Sequence, residues 1–153
     1  MTANGLAEEL AEVVQRGDLT VAVAESLTAG QIAAALGAAP ESAEWFRGGV
    51  VAYSAQVKRS VLGVPEVPVV SETAAKAMAE GVTSLMGSTL SVAVTGVGGP
   101  GPQDGEPAGS VWFSVAGKDV TASHRQFDGS PEEVLEQTVN HALELLLEAA
   151  RGH

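Results

Sequence analysis

The segment Leu19-Thr-Val-Ala-Val-Ala-Glu-Ser-Leu-Thr-Ala-Gly30 changes character twice over a short distance. Residues 19–24 are a continuous apolar run of the kind that forms a strand buried on both faces. Glu25, Ser26, Leu27 and Thr28 interrupt it, and from Ala29 to Leu36 apolar residues return at helical spacing. A strand, a tight turn and a helix start are expected in that order, with Ser26 at the junction.

Upstream, Leu6, Leu10, Val13 and Val14 share one stripe of an amphipathic helix over residues 4–16, ended by Gly17 and Asp18. Downstream, residues 48–53 read as a second strand, and Ser54 to Leu62 as a helix stopped by Gly63 and Pro65. A Pro-rich connection over 65–70 leads to Ser71, placed to cap a long helix reaching about Met86. Residues 89–95 read as a third strand, followed by the glycine- and proline-rich stretch 96–109. Residues 110–116 and 119–127 pattern as a hairpin around Gly117. Ser130 and Pro131 then open a last helix with Val134, Leu135, Val139, Ala142, Leu143, Leu146 and Leu147 on its buried stripe. Alternation early and a hairpin late predict a three-layer α/β/α single domain over 1–153, its mixed β-sheet covered by helices on both faces.

Composition narrows the chemistry. Apolar residues are 45% of the chain but aromatics only 4%, so Ala, Val, Leu and Ile must fill the core, which suits closely layered helices and sheet. With no cysteine, disulfides, thiol nucleophiles and thiolate metal sites are excluded. Eight basic against 19 acidic residues give a formal charge of −11 with no basic cluster, so direct nucleic-acid contact is not expected. A small phosphorylated ligand remains compatible, because a nest of backbone N–H groups can hold an anion locally. The first helix carries Glu8, Glu9 and Glu12, unlike the basic start of a signal peptide. No apolar stretch approaches the ~20 residues needed to span a bilayer. A cytoplasmic protein without membrane attachment is the expectation.

Ser26 has two readings. At a strand-to-helix junction its hydroxyl can face a bound carbonyl among inward-turned N–H groups; alternatively Ser26 or Thr28 merely caps the helix. A serine nucleophile requires a base. His153 is terminal, His141 lies in the last helix and His124 in the hairpin, whereas Lys58 sits just inside a helix that follows a strand end. A lysine base must be largely neutral, which desolvation or a neighbouring cation such as Arg59 would favour. The alternative for Lys58 is an ordinary solvated helix position. Tyr53 either relays a proton beside Lys58 or packs its ring at the core's rim. Gly96, Gly98 and Gly99 permit close backbone approach to a ligand, although the stretch is neither a Walker A loop nor a G-x-G-x-x-G fingerprint, and an unstructured surface loop is the other reading. His141 and Glu144 are three residues apart on a helix, but no further metal ligand is evident.

The order of these signals carries a resemblance. Ala24-Glu-Ser-Leu-Thr-Ala-Gly30, then Phe46-Arg-Gly-Gly-Val-Val-Ala-Tyr-Ser54 with Lys58 and Leu62-Gly-Val64, resembles the C-terminal domain of the CinA family. The match continues through Val70-Ser-Glu-Thr-Ala74, Ala77-Met-Ala-Glu-Gly81, Val94-Thr-Gly-Val-Gly-Gly-Pro100 and Pro107-Ala-Gly-Ser-Val-Trp112. The resemblance implies an amidohydrolase that converts nicotinamide mononucleotide to nicotinate mononucleotide and ammonia, without metal or cofactor. It also implies that Ser26 is the nucleophile, that Tyr53 and Lys58 complete the proton-transfer group, and that the domain forms a homodimer. Glu25, Thr28, Gly30, Thr95, Gly96, Gly98, Gly99 and Pro100 would bind the substrate. Longer relatives carry a further N-terminal domain, for which these 153 residues leave no room.

Two departures stand out. Leu27 and Ala29 replace the Cys and Gly of the family's common Glu-Ser-Cys-Thr-Gly-Gly motif. Before the last helix, many members carry Gly-Asp-Arg and then Val-Arg, natural phosphate partners; here Asp128-Gly-Ser-Pro-Glu-Glu-Val-Leu135 has no arginine. Losing such a charged contact weakens binding by roughly 1.5–3 kcal/mol, with Arg125 the nearest substitute in sequence. A non-catalytic or regulatory nucleotide-binding domain is therefore the alternative function.

Overall fold

The computed structural model describes residues 1–153. In chain order the elements are α1 (Ala3–Arg16), β1 (Val21–Glu25), α2 (Gln31–Gly37), α3 (Ser42–Trp45), β2 (Phe46–Val51), α4 (Ala55–Leu62), α5 (Glu72–Met86), β3 (Leu90–Gly96), β4 (Ser110–Ala116), β5 (Val120–Gln126) and α6 (Pro131–Arg151). They build one five-stranded sheet ordered β2-β1-β3-β4-β5. β1 runs parallel to β2 and β3, while β3, β4 and β5 are successively antiparallel. The sheet is mixed and flanked by helices, as the order of elements implies.

Strand alternation divides the core into two unlike halves. Val21 and Val23 of β1, Leu90, Val92 and Val94 of β3, and Val111, Phe113 and Val115 of β4 point to the face covered by α1, α2, α3 and α6. The intervening Ala22, Ala24, Ala93 and Ala116 point to the face covered by α4 and α5. Large side chains therefore fill one side, and small ones let α5 lie close on the other. Buried hydroxyls on the close-packed side are paired: Thr83 donates to Ser91 at 2.9 Å, and Ser88 and Ser91 lie 2.7 Å apart. α4 and α5 also nearly touch, since a Cβ added at Gly81 would lie 2.2 Å from the Leu62 carbonyl oxygen.

Several element ends shift by one or two residues from the sequence reading, β1 starting at Val21 instead of Leu19 and β2 ending at Val51 instead of Tyr53, and one helix is new. α2 begins at Gln31 rather than Ala29, because Ala29 (φ 49°) and Gly30 (φ 101°) are both left-handed and cannot continue a right-handed helix. β2 begins at Phe46, two residues before the expected start. The short helix α3 was not anticipated; it buries Trp45, whose indole N–H donates to the Pro40 carbonyl at 3.1 Å.

Candidate active site

β2, β1 and β3 are the parallel strands, and a cleft of about 430 Å³ lies beyond their carboxyl ends, where open α/β sheets usually take ligands. Ser26 and Leu27 enter it after β1, Tyr53 and Lys58 after β2, and Gly96 with the glycine-rich loop after β3. Pro131 and Leu135, from the first two turns of α6, close the remaining side. With Val70, from the connection between α4 and α5, the wall is thus drawn from five distant stretches of chain. The last could not be read from local sequence, because only tertiary packing brings α6 here.

The alternation of β1 explains how Ser26 comes to share this cleft with Lys58. Val21 and Val23 face the α2 side, Ala22 and Ala24 the α4 side. Extending the pattern sends Glu25 toward α2 and Ser26 toward α4, the helix that carries Lys58. Ser26 is 4% exposed and Lys58 3%, so Lys58 is not a solvated helix position. Burial pushes the Lys58 amine below its ordinary value of 10.5. Asp104 opposes that effect, and the Arg59 guanidinium adds to it. None of the chain's five ion pairs involves Lys58. Arg59 instead lies 3.6 Å from Glu66, and its Nε has no hydrogen-bond partner despite being buried. Asp104 had no signal in the sequence beyond being the one acidic residue amid Gly98–Gly105.

The substrate-binding residues expected from the resemblance separate into two groups. Gly96, Gly98 and Gly99 line the cleft. Glu25, Thr28, Gly30, Thr95 and Pro100 do not stand on its wall, each for a physical reason. Glu25 is fully buried, and its carboxylate accepts from the N–H groups of Gly30 (3.2 Å), Ile32 (3.0 Å) and Ala33 (2.8 Å) and from the Thr28 hydroxyl (2.6 Å). It is Glu25, rather than Ser26 or Thr28, that satisfies the start of α2. The Thr95 hydroxyl is fully buried and donates to the Val69 carbonyl. Pro100 is exposed on the outer side of its loop.

Tyr53 is 71% exposed at the cleft mouth, so it does not pack into the core. The N–H groups of Leu27, Gly98 and Gly99 donate to no backbone carbonyl, leaving donors at the cleft. The glycine-rich segment forms part of the cleft wall, and strand-like bonds tie its two ends together, with the Val97 N–H donating to the Ser110 carbonyl and the Gly109 N–H to that of Val97. Arg125 lies on β5 opposite Val111, its charge felt by His141, and is not part of the cleft. His141 packs edge-on against Phe113 and lies 3.9 Å from Glu144; no three His, Asp or Glu side chains converge as a metal site.

A buried hydroxyl and a desolvated amine on the wall of one small-molecule cleft, not hydrogen-bonded to each other, at the carboxyl edge of a mixed sheet, define a class of α/β/α domain equipped for polar chemistry. This chain belongs to the CinA family: residues 3–150 match the family's CinA C-terminal domain. It is 42% identical over 150 residues to a nicotinamide-nucleotide amidohydrolase PncC of Pseudomonas putida, covering 94% of each protein. A CinA-like protein of Frankia casuarinae is 40% identical over 146 residues, covering 92% of this chain but 34% of that longer protein. Among solved structures, a CinA superfamily protein of Klebsiella pneumoniae superposes over the whole of both chains with a TM-score of 0.95 at 32% identity. One from Escherichia coli does so over 97% of this chain and 90% of its own, with a TM-score of 0.93 at 35% identity. No helix here is long and apolar enough to cross a membrane.

Proposed function

We propose that the domain hydrolyses the carboxamide of nicotinamide mononucleotide, releasing nicotinate mononucleotide and ammonia. The observation that carries this reading is Lys58, buried without an ion-pair partner in the same cleft as Ser26. The 42% identity to a protein named a nicotinamide-nucleotide amidohydrolase supports this choice of substrate.

In this mechanism the neutral Lys58 amine takes the Ser26 proton as Oγ adds to the amide carbon. The resulting oxyanion meets the free N–H groups of Leu27 and the glycine loop. Collapse breaks the C–N bond while the Lys58 ammonium protonates the departing nitrogen, giving ammonia and an ester on Ser26. Water, deprotonated by Lys58, adds to that ester; on collapse the Lys58 ammonium returns its proton to the departing Ser26 Oγ, and the acid product loses its own proton to solvent as the carboxylate. Tyr53, at the mouth, orients Lys58 or relays its proton. The domain works in the cytoplasm as a homodimer, over residues 1–153 as one unit, and uses no cofactor.

Ammonia release from nicotinamide mononucleotide tests the reading. Ser26→Ala should lose at least ~10³-fold in kcat, and Lys58→Met about 10²–10⁴-fold, the usual worth of a positioned base. Equal rates in wild type and Ser26→Ala would remove the serine from the mechanism.

A second reading rests on one observation: Lys58 is the single basic side chain on the cleft wall. Without an arginine to anchor phosphate, the domain would be a nucleotide-binding regulatory unit. Melting shifts across a nucleotide panel, with no turnover of any member, would favour it.

A further inference from the structure

We infer that Glu25 is a positioning residue: a buried carboxylate clamp that holds the turn presenting Ser26 and the Leu27 N–H to the cleft. The inference rests on the reading of Ser26 as nucleophile, and nothing in it requires Glu25 to touch substrate.

The geometry is unusual for a helix start. Gly30, at the N-cap of α2, gives no side-chain bond to the helix, and the usual small polar cap is missing. The carboxylate of the last residue of β1 replaces it, reaching across the turn to the first N–H groups of α2. Oε1 accepts three bonds, from Thr28 Oγ1, Gly30 N and Ile32 N, and Oε2 accepts the Ala33 N–H. All four donors lie within eight residues of Glu25, Thr28 and Gly30 in the turn that begins with Ser26 and Ile32 and Ala33 in the first turn of α2.

That turn has little else to hold it. Ala29 and Gly30 are successive left-handed residues, and such conformations persist where surrounding bonds over-determine them. Within the turn, backbone bonding is limited to Ala29 N to the Ser26 carbonyl and Gln31 N to that of Thr28. The clamp also separates two tasks that a strand–helix junction might combine. It occupies the helix N-terminus of α2, so those donors are spent on Glu25, and within the turn the unbonded N–H groups of Ser26 and Leu27 remain beside the cleft.

Glu25→Gln keeps shape and volume but replaces one acceptor oxygen with an N–H₂ group. The Thr28 hydroxyl can turn to accept, but each carboxylate oxygen also faces a backbone N–H that cannot, so at least one contact becomes a donor–donor clash whichever way the amide is turned. Thr28→Val removes a single donor while preserving volume. Steady-state ammonia release and amide hydrogen exchange on wild type and both variants test the clamp. In Glu25→Gln, kcat should fall by about 30-fold or more with KM changed less than about threefold, a loss confined to the reacting geometry. Exchange should quicken at least about tenfold across Leu27–Ala33 and stay unchanged in α1, α5 and α6.

A folded Glu25→Gln with wild-type kcat, or one whose KM rises while kcat holds, would overturn the inference. If Glu25→Gln fails to fold, Thr28→Val decides: a smaller kcat loss with local exchange quickened supports the clamp, and wild-type values of both remove it. A wild type that releases no ammonia would defeat the proposed reaction instead, and exchange across the turn would still show whether Glu25 holds it.

Discussion

A lysine amine buried to 3% exposure has its protonation set by the few charges that reach it. At Lys58 desolvation dominates, Asp104 works against it and Arg59 with it. The proposed base acts as the free amine, so kcat/KM should climb with pH and level off below the ordinary lysine value of 10.5. Replacing Asp104 with Asn removes the charge that favours the ammonium, so the rising limb of the pH–rate profile should move to lower pH. Arg59→Gln should move it the other way. A profile unmoved by both would show that neither charge reaches the working group. The same burial bears on stability: the unfolded chain holds its lysine proton to higher pH than the folded one, so this position's contribution improves as pH rises between the folded value and 10.5.

At the level of elements, the junction of α4 with α5 gives the sharpest expectation. Glycine inside a helix normally costs ~1 kcal/mol relative to alanine. Gly81→Ala should do the opposite of stabilise, because its new methyl would sit 2.2 Å from the Leu62 carbonyl oxygen, a backbone atom with no rotamer to escape into. Overpacking of that kind costs about 3 kcal/mol at the upper end of its usual range, leaving a net loss of about 2 kcal/mol once helix propensity is credited. Urea unfolding measures it, and a more stable variant would mean the helices can slide apart. This contact was invisible in the sequence, where Gly81 reads as an ordinary small residue of a long helix. β1 was legible because a short run with β-branched Thr20, Val21 and Val23, bounded by Gly17-Asp18 and by Glu25-Ser26, is too short for a helix of usual length. α3 was not, since its four residues are too few to show a period. Glu25 was expected at the substrate, yet its partners are N–H groups exposed only by two left-handed residues, which sequence periodicity does not record.

For the molecule as a whole, the governing quantity is its charge of −11. The proposed phosphorylated substrate would approach through a repulsive field, and the cleft wall offers one basic side chain, itself biased toward neutrality. Raising salt from about 10 mM to about 150 mM shortens the screening length from about 30 Å to about 8 Å. That should increase kcat/KM for nicotinamide mononucleotide by about twofold or more, mainly through KM. A decrease would reveal an attractive patch near the mouth.

The five stretches of chain that meet at the cleft have a last consequence. Residues 26–27, 53–58, 70, 96–103 and 131–135 are separated in sequence by up to about a hundred positions; those after β1, β2 and β3 leave adjacent strands of one sheet, and Pro131 and Leu135 of α6 face them across the cleft. An occupant touching all of them acts as a rivet: it fastens the sheet's edge to the opening turns of α6, and a molecule that must release its product to let those parts breathe is tightest at the moment it is working.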